Sequence, residues 1–169
     1  MSEEIVNRVS NNALKTIDLD DFYASGERVA FDMASLLFQG LILREKDFRE
    51  FVANHNWVQY QGKYLAVHCS VDAIIPSWAV MVLITKLQPI TNQVIFGTLD
   101  ELEHKLFSDA LSSLDLSSYK DSKVVIKGCG IHPVPAYAFA ELTRLLTPYV
   151  SSLMYGEPCS TVPVYKKRN

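Results

Sequence analysis

Three cysteines stand where a fold could use them. Cys69 closes the apolar run Tyr64-Leu65-Ala66-Val67-His68, Cys129 lies inside Gly128-Cys129-Gly130 just after Lys123-Val124-Val125-Ile126-Lys127, and Cys159 ends the turn Gly156-Glu157-Pro158-Cys159. Thiolate is the form of cysteine that binds soft metals or attacks electrophiles. Three thiolates select zinc, copper(I) or an iron–sulfur cluster and leave one position for another ligand. Gaps of 60 and 30 residues between the cysteines fit a site built by the fold, since there is no C-x-x-C knuckle. Asp72, three residues after Cys69, is the preferred fourth ligand because it should cap the helix that follows. His132, three after Cys129, is the next choice. Glu157 is a further candidate, whereas strand alternation should turn His68 to the opposite face. A free cysteine also serves often as a small core residue, and Ser70 and Ser160 read more simply as turn residues than as donors to sulfur.

The elements that must position these residues alternate along the chain. Tyr64 to Cys69 reads as a buried strand. Pro76 opens a nearly all-apolar helix that Pro89 stops. Gln93 to Gly97 is a second strand, and Thr98-Leu99-Asp100-Glu101 is a capping box for the next helix. Lys123 to Lys127 is a third strand, Pro133 and Pro135 open a helix to about Leu146, and Val150 to Tyr155 is a fourth strand. Such β-α-β-α-β-α-β alternation predicts an α/β fold, a small three-layer sandwich around a mostly parallel four-stranded sheet of order 2-1-3-4. Ligands of open parallel sheets sit beyond the carboxyl ends of the strands, where strand order reverses. In that order all three cysteines share one rim, and two helix N-termini point at it.

Residues 1–63 read as an N-terminal β/α extension on the same core as residues 64–169. Leu14 to Leu19 and Arg28 to Asp32 are expected as antiparallel additions to a sheet edge, and Arg44 to Asn54 as a helix with Phe48, Phe51 and Val52 on one face. No internal repeat stands out. Trp57, Tyr60 and Tyr64 form an aromatic cluster that packing explains, and His55 and His104 are assigned no role.

Composition limits the partners. The chain has 169 residues, 49% of them hydrophobic and 21% charged, with a net charge of −3. A large basic footprint for nucleic acid is not expected, and Lys166-Lys167-Arg168 reads as a solvated terminus. Met1-Ser2-Glu3-Glu4 does not form a secretory signal, and no run reaches the roughly 20 apolar residues that span a bilayer. A cytoplasmic protein with reduced thiols is expected, because three cysteines without an export signal do not suggest a disulfide framework.

Several segments resemble a bacterial family known as DUF2480: Leu37-Phe38-Gln39-Gly40-Leu41-Ile42-Leu43-Arg44-Glu45-Lys46-Asp47-Phe48-Arg49, Asp72-Ala73-Ile74-Ile75-Pro76, Ile126-Lys127-Gly128-Cys129-Gly130 and Met154-Tyr155-Gly156-Glu157-Pro158-Cys159-Ser160-Thr161-Val162-Pro163-Val164. The resemblance brings no activity with it. It implies a link to iron–sulfur cluster assembly, through members encoded near sulfur-mobilisation genes, and favours a cluster over zinc. The leading expectation is thus a thiolate site of Cys69, Cys129 and Cys159, completed by Asp72 or His132, that holds an iron–sulfur cluster or zinc and works with iron–sulfur assembly proteins. The alternatives are a metal-free enzyme with Cys129 as nucleophile and His132 as its base, and a binding or scaffold module with structural cysteines. Substrate and oligomeric state are open.

Overall fold

A computed structural model describes residues 14–168. In chain order it contains β1 (Leu14–Asp18), β2 (Arg28–Asp32), α1 (Glu45–Asn54), β3 (Tyr64–His68), α2 (Ser77–Leu87), β4 (Gln93–Phe96), α3 (Leu99–Ser112), β5 (Lys123–Lys127), α4 (Ala136–Leu146), β6 (Ser152–Glu157) and β7 (Ser160–Lys166). The sequence cues act as expected. Thr98 and Glu101 form the capping box, with Thr98 N–H donating to Glu101 Oε2 at 2.7 Å and Glu101 N–H to Thr98 Oγ1 at 3.2 Å. Pro76 and Pro135 stand immediately before α2 and α4, where a missing N–H costs nothing.

The strands do not join in one sheet. The chain folds as an α/β protein with two sheets, one of order β2-β3-β4 and one of order β1-β5-β6-β7. The expected order 2-1-3-4 is therefore wrong, because β3 and β5, the first and third strands of that scheme, lie in different sheets. The four-stranded sheet is mixed: β1, β5 and β6 run parallel and β7 pairs antiparallel with β6. Burial makes β3 and β5 the central strands, whose backbone groups on both edges must be paired. Leu65, Ala66 and Val67 of β3, like Val124, Val125 and Ile126 of β5, are shielded on both faces, so each needs a neighbour on either side. Each takes one from the N-terminal region. β2 pairs with β3 and β1 with β5, both in parallel, which corrects the expected antiparallel edge additions. The connections are long enough for parallel crossovers.

Two compact units result. A continuous unit spans Ser25–Lys105, and a split unit combines residues 14–24 with 106–168. Met33, Phe48, Leu65, Leu83 and Leu87 centre the first core. Leu19, Phe107, Val124, Leu142 and Leu146 centre the second.

The two units repeat one another, contrary to the sequence reading. From Phe48 to Gly97, without a gap, residue n of the continuous unit matches residue n + 59 of the split unit, while the first strands correspond separately, β2 with β1. Pro76-x-x-Ala79-x-x-x-Leu83-x-x-x-Leu87-x-Pro89 returns as Pro135-x-x-Ala138-x-x-x-Leu142-x-x-x-Leu146-x-Pro148, and Phe48, Tyr60 and Gly97 return as Phe107, Tyr119 and Gly156. The backbone agrees: Gly62 N–H donates to Ile90 O and Asp121 N–H to Tyr149 O, each at 2.8 Å, and Gly62 and Asp121 both have positive φ. In each unit the Asp ending the first strand caps the turn behind it, Asp32 receiving Ala34 N–H at 2.9 Å and Asp18 receiving Asp20 N–H at 3.1 Å. β7 has no counterpart after β4. Pro163 within it lacks the ladder donor a central strand needs, so β7 can only be an edge.

Candidate functional site

The cysteines are divided between the units. Cys69 follows β3, is half-buried, and packs against the core of the continuous unit. Cys129, in the loop between β5 and α4, and Cys159, at the tip of the β6–β7 hairpin, are both exposed. The shared rim depended on β3 lying beside β5, and that pairing does not form. Among the described residues no group of three His, Cys, Asp or Glu is placed to hold a metal ion. Asp72 does not cap α2, whose start has Pro76 and no side-chain cap. It lines a shallow crevice with His68, Cys69, Phe96 and Thr98.

The split unit concentrates more chemistry. The loop Gly128-Cys129-Gly130-Ile131-His132 is folded around Asp20, which lies 112 residues earlier. His132 N–H donates to Asp20 Oδ1 at 2.8 Å, and His132 Nδ1 lies 3.2 Å from the same oxygen. The His132 ring stacks on Tyr23 with centroids 4.2 Å apart. Gly130 allows this approach, since a Cβ there would overlap the Asp20 carboxylate. The Asp20 carboxyl is held below its ordinary range, chiefly by the His132 backbone N–H and then by the imidazole. His132 is thus tied to Asp20, not a solvent-facing loop histidine.

Cys129 sits in this pinned loop with its Sγ 3.8 Å from Tyr155 Oη. Tyr155 is on β6, and its phenol is pushed above 10.0 by the hydrogen bond and charge of the Cys129 sulfur. The Tyr155 ring meets Phe139 of α4 edge-on at 5.6 Å. Both rings line an apolar groove of about 600 Å³ with Ile126, Ala140, Met154 and Val164. Beside the loop, Lys127 Nζ pairs with Asp18 Oδ2 at 3.0 Å. An exposed sulfur therefore stands beside a phenol that itself lines the groove, on a loop whose shape is fixed by a carboxylate.

Asp20, Tyr23 and Tyr155 escaped the sequence reading. The run Asp18-Leu19-Asp20-Asp21 directly behind a strand was the available signal for the first, because acids at strand ends cap turns and loops.

A family model described as a protein of unknown function, DUF2480, matches residues 3–167. The chain belongs to the DUF2480 family. No curated protein matches the chain. No solved structure matches it either. Among the described residues, no helix is long and apolar enough to cross a membrane.

Proposed function

We propose that this DUF2480 member is a thiol-dependent acyl-transfer protein that acts through Cys129. The contact between Cys129 Sγ and the hydroxyl of Tyr155, a residue that lines the apolar groove, carries this reading. Sulfur attacks the carbonyl carbon of an activated ester or thioester. A C–S bond forms, the bond to the leaving group breaks, and the thiol proton passes by way of Tyr155 to the leaving group. The groove holds the apolar part of the acyl chain, and the clamp between Asp20 and the His132 loop fixes the sulfur's position, as an oriented nucleophile requires. His132 is a positioning residue here, because its backbone N–H holds Asp20 and its ring stacks on Tyr23.

The test is p-nitrophenyl butyrate on the anaerobically purified chain. A stoichiometric burst of nitrophenolate with a butyryl adduct on Cys129, lost in Cys129→Ser and slowed in Tyr155→Phe, supports the proposal. Equal acylation of Cys129 and Cys159, both exposed, overturns it. The same preparation tests the metal reading: bound zinc or iron, with Cys69, Cys129 and Cys159 mutually protected from iodoacetamide, would restore a cluster or zinc site and a role with iron–sulfur assembly proteins in its place.

A further inference from the structure

The opposite, amino-terminal edge of the four-stranded sheet carries a feature unrelated to Cys129. Lys123, Ser152 and Lys166 are register partners on the adjacent strands β5, β6 and β7. Register partners on neighbouring strands face the same side, so two cations flank one hydroxyl across about 10 Å, twice the strand spacing. Behind them the tail is fixed, not free: Lys167 N–H donates to Ser151 O at 2.9 Å. These residues and Arg168 line a groove of about 920 Å³ whose one acid is Asp121. Lys167 lies 3.6 Å from that carboxylate. Lys123, Lys166 and Arg168 have no ion-pair partner among the described residues.

The repeat supplies an internal comparison. The matching edge of the continuous unit presents Asn92 and Gln93 where the split unit has Ser151 and Ser152, Tyr64 where it has Lys123, and has no β7 to bring further cations. The basic cluster is thus particular to one unit, in a chain of net charge −3. The groove's lining has no aromatic ring for stacking a base and no apolar anchor for a bilayer surface.

We propose that this groove binds a compact polyanion of the di- or triphosphate class, with Lys123 and Lys166 gripping successive phosphoryl groups, Ser152 donating between them, and Arg168 closing one end. The experiment is calorimetric titration of the full chain with tripolyphosphate, pyrophosphate and orthophosphate. Affinity should rise with chain length and fall steeply with added salt. Lys123→Ala combined with Lys166→Ala should weaken tripolyphosphate by more than about tenfold, one or two charge-assisted hydrogen bonds' worth. Ser152→Ala should weaken it without any change in charge, and Lys86→Ala in the continuous unit should leave it unaltered. Thermal melts confirm that each variant folds. Three results would overturn the assignment: equal binding of all three phosphates, a double variant that binds as the parent does, or binding of an acidic peptide or anionic vesicle through these lysines with no uptake of tripolyphosphate.

Discussion

Gly128→Ala tests whether the Cys129 loop is built on close backbone packing. A Cβ at this position would lie 2.8 Å from Cζ of Phe139, 3.3 Å from its Cε1 and 3.2 Å from Cβ of Leu19. Carbon atoms settle at about 3.5 Å or more, so the Phe139 contact is about 0.7 Å too short. Leu19 is fully buried and cannot yield. The ring edge or the loop must move, and either motion disturbs the edge-on contact between Phe139 and Tyr155. Overpacking of this kind costs about 1–3 kcal/mol. With a urea slope near ~2 kcal/mol/M, the unfolding midpoint should fall by roughly 1 M. The same variant should change the rate of Cys129 alkylation, read residue by residue with iodoacetamide and peptide mass spectrometry. A stability within about 0.5 kcal/mol of the parent, with the Tyr155 resonances in place and Cys129 alkylated at the parent rate, would refute the packing argument.

Other outcomes follow from the same geometry. Tyr155 should titrate above 10.0 because a thiolate beside it opposes formation of the phenolate, and its carbon resonance should move back toward the ordinary midpoint in Cys129→Ser; an unmoved midpoint would deny the contact. His55, boxed in by Phe31, Phe51, Trp57 and Tyr60, is held below 6.5 by burial. Its folded midpoint is depressed, so the unfolded chain takes up the proton more readily, and stability present above pH 6.5 should drain away as pH falls through the folded midpoint. His55→Phe should flatten that part of the stability profile in urea titrations between neutral and mildly acidic pH. Leu83→Ala and Leu142→Ala, at matched fully buried positions of the two units, should each cost about 2–5 kcal/mol; hydrogen exchange should show the loss concentrated in the unit that carries the substitution.

Much of the local structure was legible in the sequence because its determinants are local. Pro76 and Pro89 bracket α2, Thr98 and Glu101 start α3, and the short β-branched runs became strands. Pairing partners were not legible, because Val124-Val125-Ile126 says that β5 is buried on both faces without saying by which neighbours. The repeat was readable in principle from the fixed spacing of Pro, Ala, Leu, Leu and Pro around α2 and α4. It is faint because the retained residues are generic core types, while the loops carrying chemistry diverged, Cys69-Ser70-Val71 against Gly128-Cys129-Gly130. The site was half legible. Cys129 and His132 were singled out, but their partners Asp20 and Tyr155 arrive from distant strands, and no spacing rule connects them.

The interrupted unit also bears on synthesis. In the continuous unit, Arg28 meets Tyr64, a span the ribosome completes early. In the split unit, Leu14 must wait for Lys123, with the whole continuous unit made in between. As a bare flexible chain, the longer closure would cost only about 1 kcal/mol more. Its larger effect is on timing. A nascent chain can finish one half while β1 still lacks the strand it will lie beside, so the hydrogen-bonding edge of β1 stays without that partner until β5 has been made.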